Sequence, residues 1–167
     1  MRQGVISFFV ISLLGVLPVR ALEIQGVTVP ATTQVAGTTL YLNGAGLRTF
    51  TLLMVPIKIY VASLYTPAAI RTASSMMGAS GPMQCDFTFL RAVSQPDVAE
   101  AWRSQFAESV SYTYPGYARD RDAFIAMFGP LQNKGVERVQ FIGTNTVIVD
   151  QGVPKGTIPG RDFQKAF

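Results

Sequence analysis

Residues 50–65 constrain the fold more than any other stretch of this chain. Val55, Ile57, Ile59 and Val61 form one apolar parity, and Met54, Lys58, Tyr60 and Ala62 form a mixed second one. A period of two puts these sets on opposite faces of a sheet. Pro56 cannot donate a ladder hydrogen bond, so it marks an edge, a bulge or a hairpin bend. Just upstream, Asn43-Gly44-Ala45-Gly46 reads as a turn signal, because glycine supplies the positive φ that turns need.

The rest of the chain supplies more short strands and a few helices. Glu23 to Val29, Thr38 to Asn43 and Met83 to Val93 read as strands. So do Val136 to Ile142, Thr146 to Val149 and Gly156 to Ile158. A short helix is predicted from Thr66-Pro67 to about Met77, since Thr66 can cap and Pro67 suits a first turn. Ser94-Gln95-Pro96-Asp97 starts a second, with Val98, Ala101, Trp102, Gln105 and Phe106 recurring at helical spacing. Ala123 to Leu131 and Arg161 to Phe167 give two more. This order favours an α+β layer fold, an antiparallel sheet with helices on one face. A cleft between such layers is a common place for an apolar ligand.

The N-terminus reads as an export signal. Arg2 is followed by the uncharged apolar run Val5 to Leu17, and Val19-Arg20-Ala21 offers small residues for cleavage. Residues 1–21 are expected to be a bacterial secretory signal peptide, residues 22–167 the mature domain, and the location periplasmic. Removing Arg2 and Arg20 lowers the net charge of +4 to +2. No basic stripe with interleaved aromatics is present, so nucleic acid is not an expected partner.

Composition removes much catalytic chemistry. The chain has no histidine and one cysteine, Cys85. Ser-His-Asp and Cys-His machinery, histidine metal sites, zinc clusters and an internal disulfide are therefore excluded. Dinucleotide, P-loop and nucleophile-elbow motifs are absent from the sequence, and no cofactor is expected. Asp120 and Asp122 read as helix N-terminal charge. Cys85, Trp102 and the phenylalanines read as core.

One cluster stands apart. Arg48 follows the glycine-rich stretch, and Lys58 and Tyr60 are expected to share a face of the apolar strand. An inward-facing guanidinium needs an anion to offset its desolvation. The alternative is an arginine in water or paired within the protein.

Leu42-Asn43-Gly44-Ala45-Gly46-Leu47-Arg48-Thr49 and Lys58-Ile59-Tyr60-Val61-Ala62-Ser63-Leu64-Tyr65 resemble the chalcone isomerase-like family, in particular a bacterial secreted branch. Phe89-Leu90-Arg91-Ala92-Val93-Ser94, Ala101-Trp102-Arg103 and Gly156-Thr157-Ile158-Pro159-Gly160-Arg161-Asp162-Phe163 add to the match. The resemblance implies an open-faced β-sandwich, a large antiparallel sheet covered by helices with the ligand cleft between. It also implies one of two activities. Isomerases of the family close a chalcone, an intramolecular lyase reaction in which the arginine stabilises developing negative charge. Fatty-acid-binding relatives hold a carboxylate with the arginine and a tyrosine. Arg48 matches the shared arginine, and Tyr60 matches the tyrosine of the binders. Asp97 and Ser104 align where the isomerases carry a tyrosine and an asparagine. The expectation is a non-catalytic binder of a fatty acid or similar apolar carboxylate, using Arg48, Tyr60 and Lys58. An isomerase acting on an enone is the alternative. A monomer with transient membrane contact is expected.

Overall fold

The computed structural model describes residues 21–167, apart from 53, 80 and 110–112. The expected signal peptide therefore lies almost wholly outside the described residues. Among the described residues, nine strands and four helices run in the order β1 Leu22–Ile24, β2 Val27–Val29, β3 Thr32–Val35, β4 Thr38–Leu52, β5 Val55–Thr66, α1 Ala73–Gly78, β6 Met83–Phe89, α2 Gln95–Ser109, α3 Tyr117–Ala126, β7 Val136–Ile142, β8 Asn145–Asp150, β9 Val153–Ile158 and α4 Arg161–Ala166. Strands β3 to β9 form one antiparallel sheet in sequence order, and β1 and β2 form a separate hairpin. Two-residue turns close several hairpins. Ala36 and Gly37 both have positive φ (48° and 77°), as do Gln151 and Gly152 (49° and 82°). That conformation matches the twist of the flanking strands.

Alternation along the strands sorts side chains onto two faces, and each face has its own core. Phe89, Val139, Phe141 and Ile148 of the sheet join Val98, Phe106, Phe124, Phe128 and Phe163 of the helical layer. The aromatic rings interlock, with Trp102 within 5.0–6.1 Å of Phe87, Phe106, Phe124, Phe128 and Phe167, centroid to centroid. On the opposite face Val27 and Val29 of the β1–β2 hairpin cover Val35, Leu40, Val61 and Tyr65. The expected α+β open-faced sandwich is the observed architecture.

Several element boundaries differ from expectation, each for a local reason. Asn43-Gly44-Ala45-Gly46 is no turn. It lies within β4, with a register shift between Leu42 and Gly44, and the reversal comes between Leu52 and Val55. Glycines here serve strand pairing without side chains rather than positive φ. Residues 50–65 are accordingly the end of β4 and nearly all of β5. The first helix begins six residues later than expected, because Thr72 rather than Thr66 provides the cap, accepting from Ser75 N–H at 3.1 Å. Thr66 instead donates to the Ala68 carbonyl. The 22–29 segment folds back at Gln25–Gly26 into two strands. The start of α2 is as expected: Ser94 Oγ donates to Asp97 at 2.6 Å and accepts the Asp97 N–H at 3.4 Å.

Candidate functional site

The site is built on the register between β4 and β5. Arg48 lies directly opposite Tyr60, Gly46 opposite Ala62, and Gly44 opposite Leu64. Directly opposed residues share a face. Tyr60 points to the helical side, where its ring meets Phe87 and Phe89, each at 5.4 Å. Arg48 and the two glycines therefore face the same side. The intervening Ala45 and Leu47 pack into the opposite core.

Helices do not roof this part of the sheet. Gly44 and Gly46 are exposed, and a Cβ built at either would meet nothing within 4 Å. The result is an open trough floored by Gly44, Gly46, Ala62 and Leu64, with Arg48 and Tyr60 at one end. Arg48 is exposed rather than enclosed, and Tyr60 is half-buried. Burial pushes the Tyr60 phenol above its ordinary value, Arg48 partly offsets this, and Glu137 adds to it. Tyr60 is thus a neutral hydrogen-bond donor at physiological pH, within electrostatic reach of a cation.

Lys58 is placed elsewhere. The register jumps from Arg48↔Tyr60 to Thr49↔Lys58, leaving Ile59 as the extra residue of a bulge. Ile59 packs with Tyr60 against the helix-side core. Lys58 instead donates to Gln25 Oε1 at 2.6 Å, at the tip of the β1–β2 hairpin. Simple alternation puts Lys58 beside Tyr60, and the bulge separates them. Asp97 is occupied by Ser94 at the start of α2, and Ser104 is exposed on that helix.

A buried acid on the helical face is not evident from the sequence. Glu137 is 1% exposed, opposite Phe87 on one side and Asp150 on the other. Trp102 donates its indole N–H to Oε2 at 3.3 Å, and Oε1 has no protein partner. Burial pushes the carboxyl up to about 8, with Asp150 adding to the effect and the Trp102 hydrogen bond opposing it. The signal is present in Glu137, Val139 and Phe141, one parity of β7. The other parity, Val136, Arg138, Gln140 and Ile142, is apolar only at its two ends. Cys85, as expected, is a core residue, its thiol pushed up to about 12 chiefly by burial.

Two concavities lie outside the Arg48–Tyr60 pair. One, of about 360 Å³, borders Lys134, Arg138 and Gln151. The other, of about 260 Å³, lies on the helical side between Met76, Met83, Phe141 and Phe167, with Arg161 at its rim. Met83 and Phe89 are the two ends of β6. At about 3.4 Å per residue, the row of Tyr60 and the row of Met83 are roughly 20 Å apart. Among the described residues no cluster of three or more metal-ligating side chains occurs, and no helix is long and apolar enough to cross a membrane.

A meandering antiparallel sheet with a helical layer on one face and a hairpin on the other defines an α+β open-faced sandwich. The chain belongs to the chalcone isomerase-like family, whose model matches residues 21–167. Among solved structures, it is similar to a fatty-acid binding protein of Arabidopsis thaliana, with a TM-score of 0.73 and 14% identity over 88% of this chain and 86% of that one. At that identity the likeness shows the fold alone. Among curated proteins none matches.

Proposed function

We propose that the protein is an exported, non-catalytic binder of a fatty acid or similar apolar carboxylate. The acid's head sits between Arg48 and Tyr60, and its tail lies along the trough. The observation that carries this reading is the cross-strand Arg48–Tyr60 pair at the end of a floor of two glycines, an alanine and a leucine. Arg48 supplies a fixed positive charge and a planar fork of donors, and Tyr60 a neutral O–H. The tail runs from there over Gly46 and Gly44 toward the concavity at Met76, Met83 and Phe141. Its burial supplies most of the affinity, at about 0.8 kcal/mol per methylene removed from water. The structurally similar Arabidopsis protein binds fatty acid, which is consistent with an apolar acid here. Export rests on Arg2, the apolar run to Leu17 and the small residues around Ala21, and the proposed location is the periplasm.

Mass spectrometry of ligands extracted from the purified protein tests the reading directly, with an apolar acid expected at near-stoichiometric yield. Arg48→Ala is expected to weaken binding of a long-chain acid roughly ten- to a hundredfold, the worth of a charge-assisted hydrogen bond. Binding of the matching alcohol should change little. Equal loss for acid and alcohol would remove the carboxylate clamp.

A further inference from the structure

The β4–β5 hairpin outruns the sheet that holds it. Pairing of β3 with β4 ends at Tyr41, and pairing of β5 with β6 begins at Tyr60. Thr49↔Lys58, Phe50↔Ile57, Thr51↔Pro56 and Leu52↔Val55 therefore pair only with each other. This is a two-stranded ribbon with no third strand, and such a ribbon alone is marginal in water. Its sequence is nevertheless apolar. Thr49 to Ile57 contains no charged residue and includes Phe50, Leu52, Leu53, Met54, Val55 and Ile57. Met54 is 94% exposed, Val55 60% and Phe50 58%.

Cations gather where the ribbon leaves the sheet. Arg48 and Lys58 stand at its root. Leu90 donates its N–H to the Ile59 carbonyl at 2.9 Å, which brings Arg91 to the same root. Lys134 and Lys58 both bond the Gln25–Gly26 turn. Two exposed acids lie near this part of the fold, Glu23, which accepts from Thr28 within the β1–β2 hairpin, and Asp97, which accepts from Ser94, so the cations outnumber them. An uncharged, projecting tip above a basic collar matches an interface with apolar interior and anionic surface. A tip-to-tip pair of copies would set two such collars against each other, so charge disfavours that occupant.

We propose that this ribbon is a membrane-docking element, which dips Phe50, Met54 and Val55 into an anionic bilayer while Lys58, Arg91 and Lys134 meet lipid phosphates. Arg48 would then stand at the level of the lipid headgroups, at the mouth of the trough. The proposal rests on the ribbon and its collar and does not require the cleft to hold an acid. Its test uses no fatty acid.

The test follows an environment-sensitive fluorophore on the full chain carrying Met54→Cys and Cys85→Ser. A label at Tyr41→Cys, at the opposite end of β4, is the control. With vesicles of phosphatidylglycerol and phosphatidylcholine, the Met54 label should move to shorter wavelength and the Tyr41 label should not. Phosphatidylcholine vesicles alone should give at least a tenfold weaker response, and so should Lys58→Glu with Lys134→Glu in the Met54-labelled protein. Since the label reads its own surroundings, membrane attachment through the apolar run at Val5 to Leu17 would shift neither site selectively. Equal shifts at both positions, an unchanged response after charge reversal, or no response would each overturn the proposal. A shift that follows protein concentration without vesicles would overturn it in favour of a second copy.

Discussion

The two halves of the sheet's helical face are built on opposite terms. Over β6 to β9 the face is roofed, and Phe124, Phe163 and Ile148 are fully buried within an aromatic stack. Over β4 and β5 the same face presents Gly44 and Gly46 to open space, beside a half-buried Ala62. The roofed half carries most of the packing on this face, and in the open half Gly44, Gly46 and Arg48 carry little of it. At Gly44, Gly46 and Arg48 a substitution can therefore change the surface with little cost in packing, whereas Tyr60 also packs on Phe87 and Phe89.

Substitutions in the roofed half should have the largest effect on stability. Phe124→Ala removes a ring that contacts Trp102, Phe106, Phe128 and Phe163. A loss of about 4 kcal/mol is expected in chemical denaturation. A loss under about 1 kcal/mol would dissolve the contrast between the halves.

Glu137 gives the next effect, and it depends on pH. Its carboxyl is held up to about 8, against 4.5 for the unperturbed group. Below pH 4.5 the acid is protonated in folded and unfolded chains alike, so the folded state buries no charge there. Between 4.5 and 8 the unfolded chain releases the proton and the folded one keeps it, so stability falls as pH rises. Above 8 both are ionised and the penalty is constant. Replacing the acid by Glu137→Gln should remove this dependence. The variant is expected to gain about 3 kcal/mol on the parent between pH 4.5 and 7, at 1.36 kcal/mol per pH unit. A constant difference across that range would mean that Glu137 is ionised when folded.

In the open half the stability effects should shrink. Gly46→Leu places a side chain where nothing stands within 4 Å. Unfolding stability should change by less than about 1 kcal/mol, the span of strand propensity, while calorimetric titration with a long-chain acid shows binding lost. Arg48→Ala should change stability least, by less than about 0.5 kcal/mol, as expected for an exposed side chain. A large destabilisation would instead make Arg48 a structural residue.

Much of the layer plan was legible in residue order. Strands separated by helical periodicity at Val98 to Phe106 pointed to a sheet with helices on one face, and Trp102 and the phenylalanines pointed to its core. The boundaries were less legible. Asn43 to Gly46 carries the composition of a turn, but long-range pairing with residues 62–65 holds it extended. Propensity is a local preference of a few tenths to one kcal/mol, and a ladder of cross-strand bonds outweighs it.

The candidate site divides in the same way. Sequence alone singled out Arg48 by its place after the glycine-rich stretch and Lys58 with Tyr60 by alternation along one strand, while the family resemblance paired Arg48 with Tyr60. Which face they share, the displacement of Lys58 by a bulge, and the burial of Glu137 beneath Trp102 depend on contacts between residues far apart in the chain. A one-residue shift of register moves a side chain from one face of a sheet to the other. Only the assembled sheet, with its helices and hairpin in place, determines which face is roofed, which is open, and where each charge meets water.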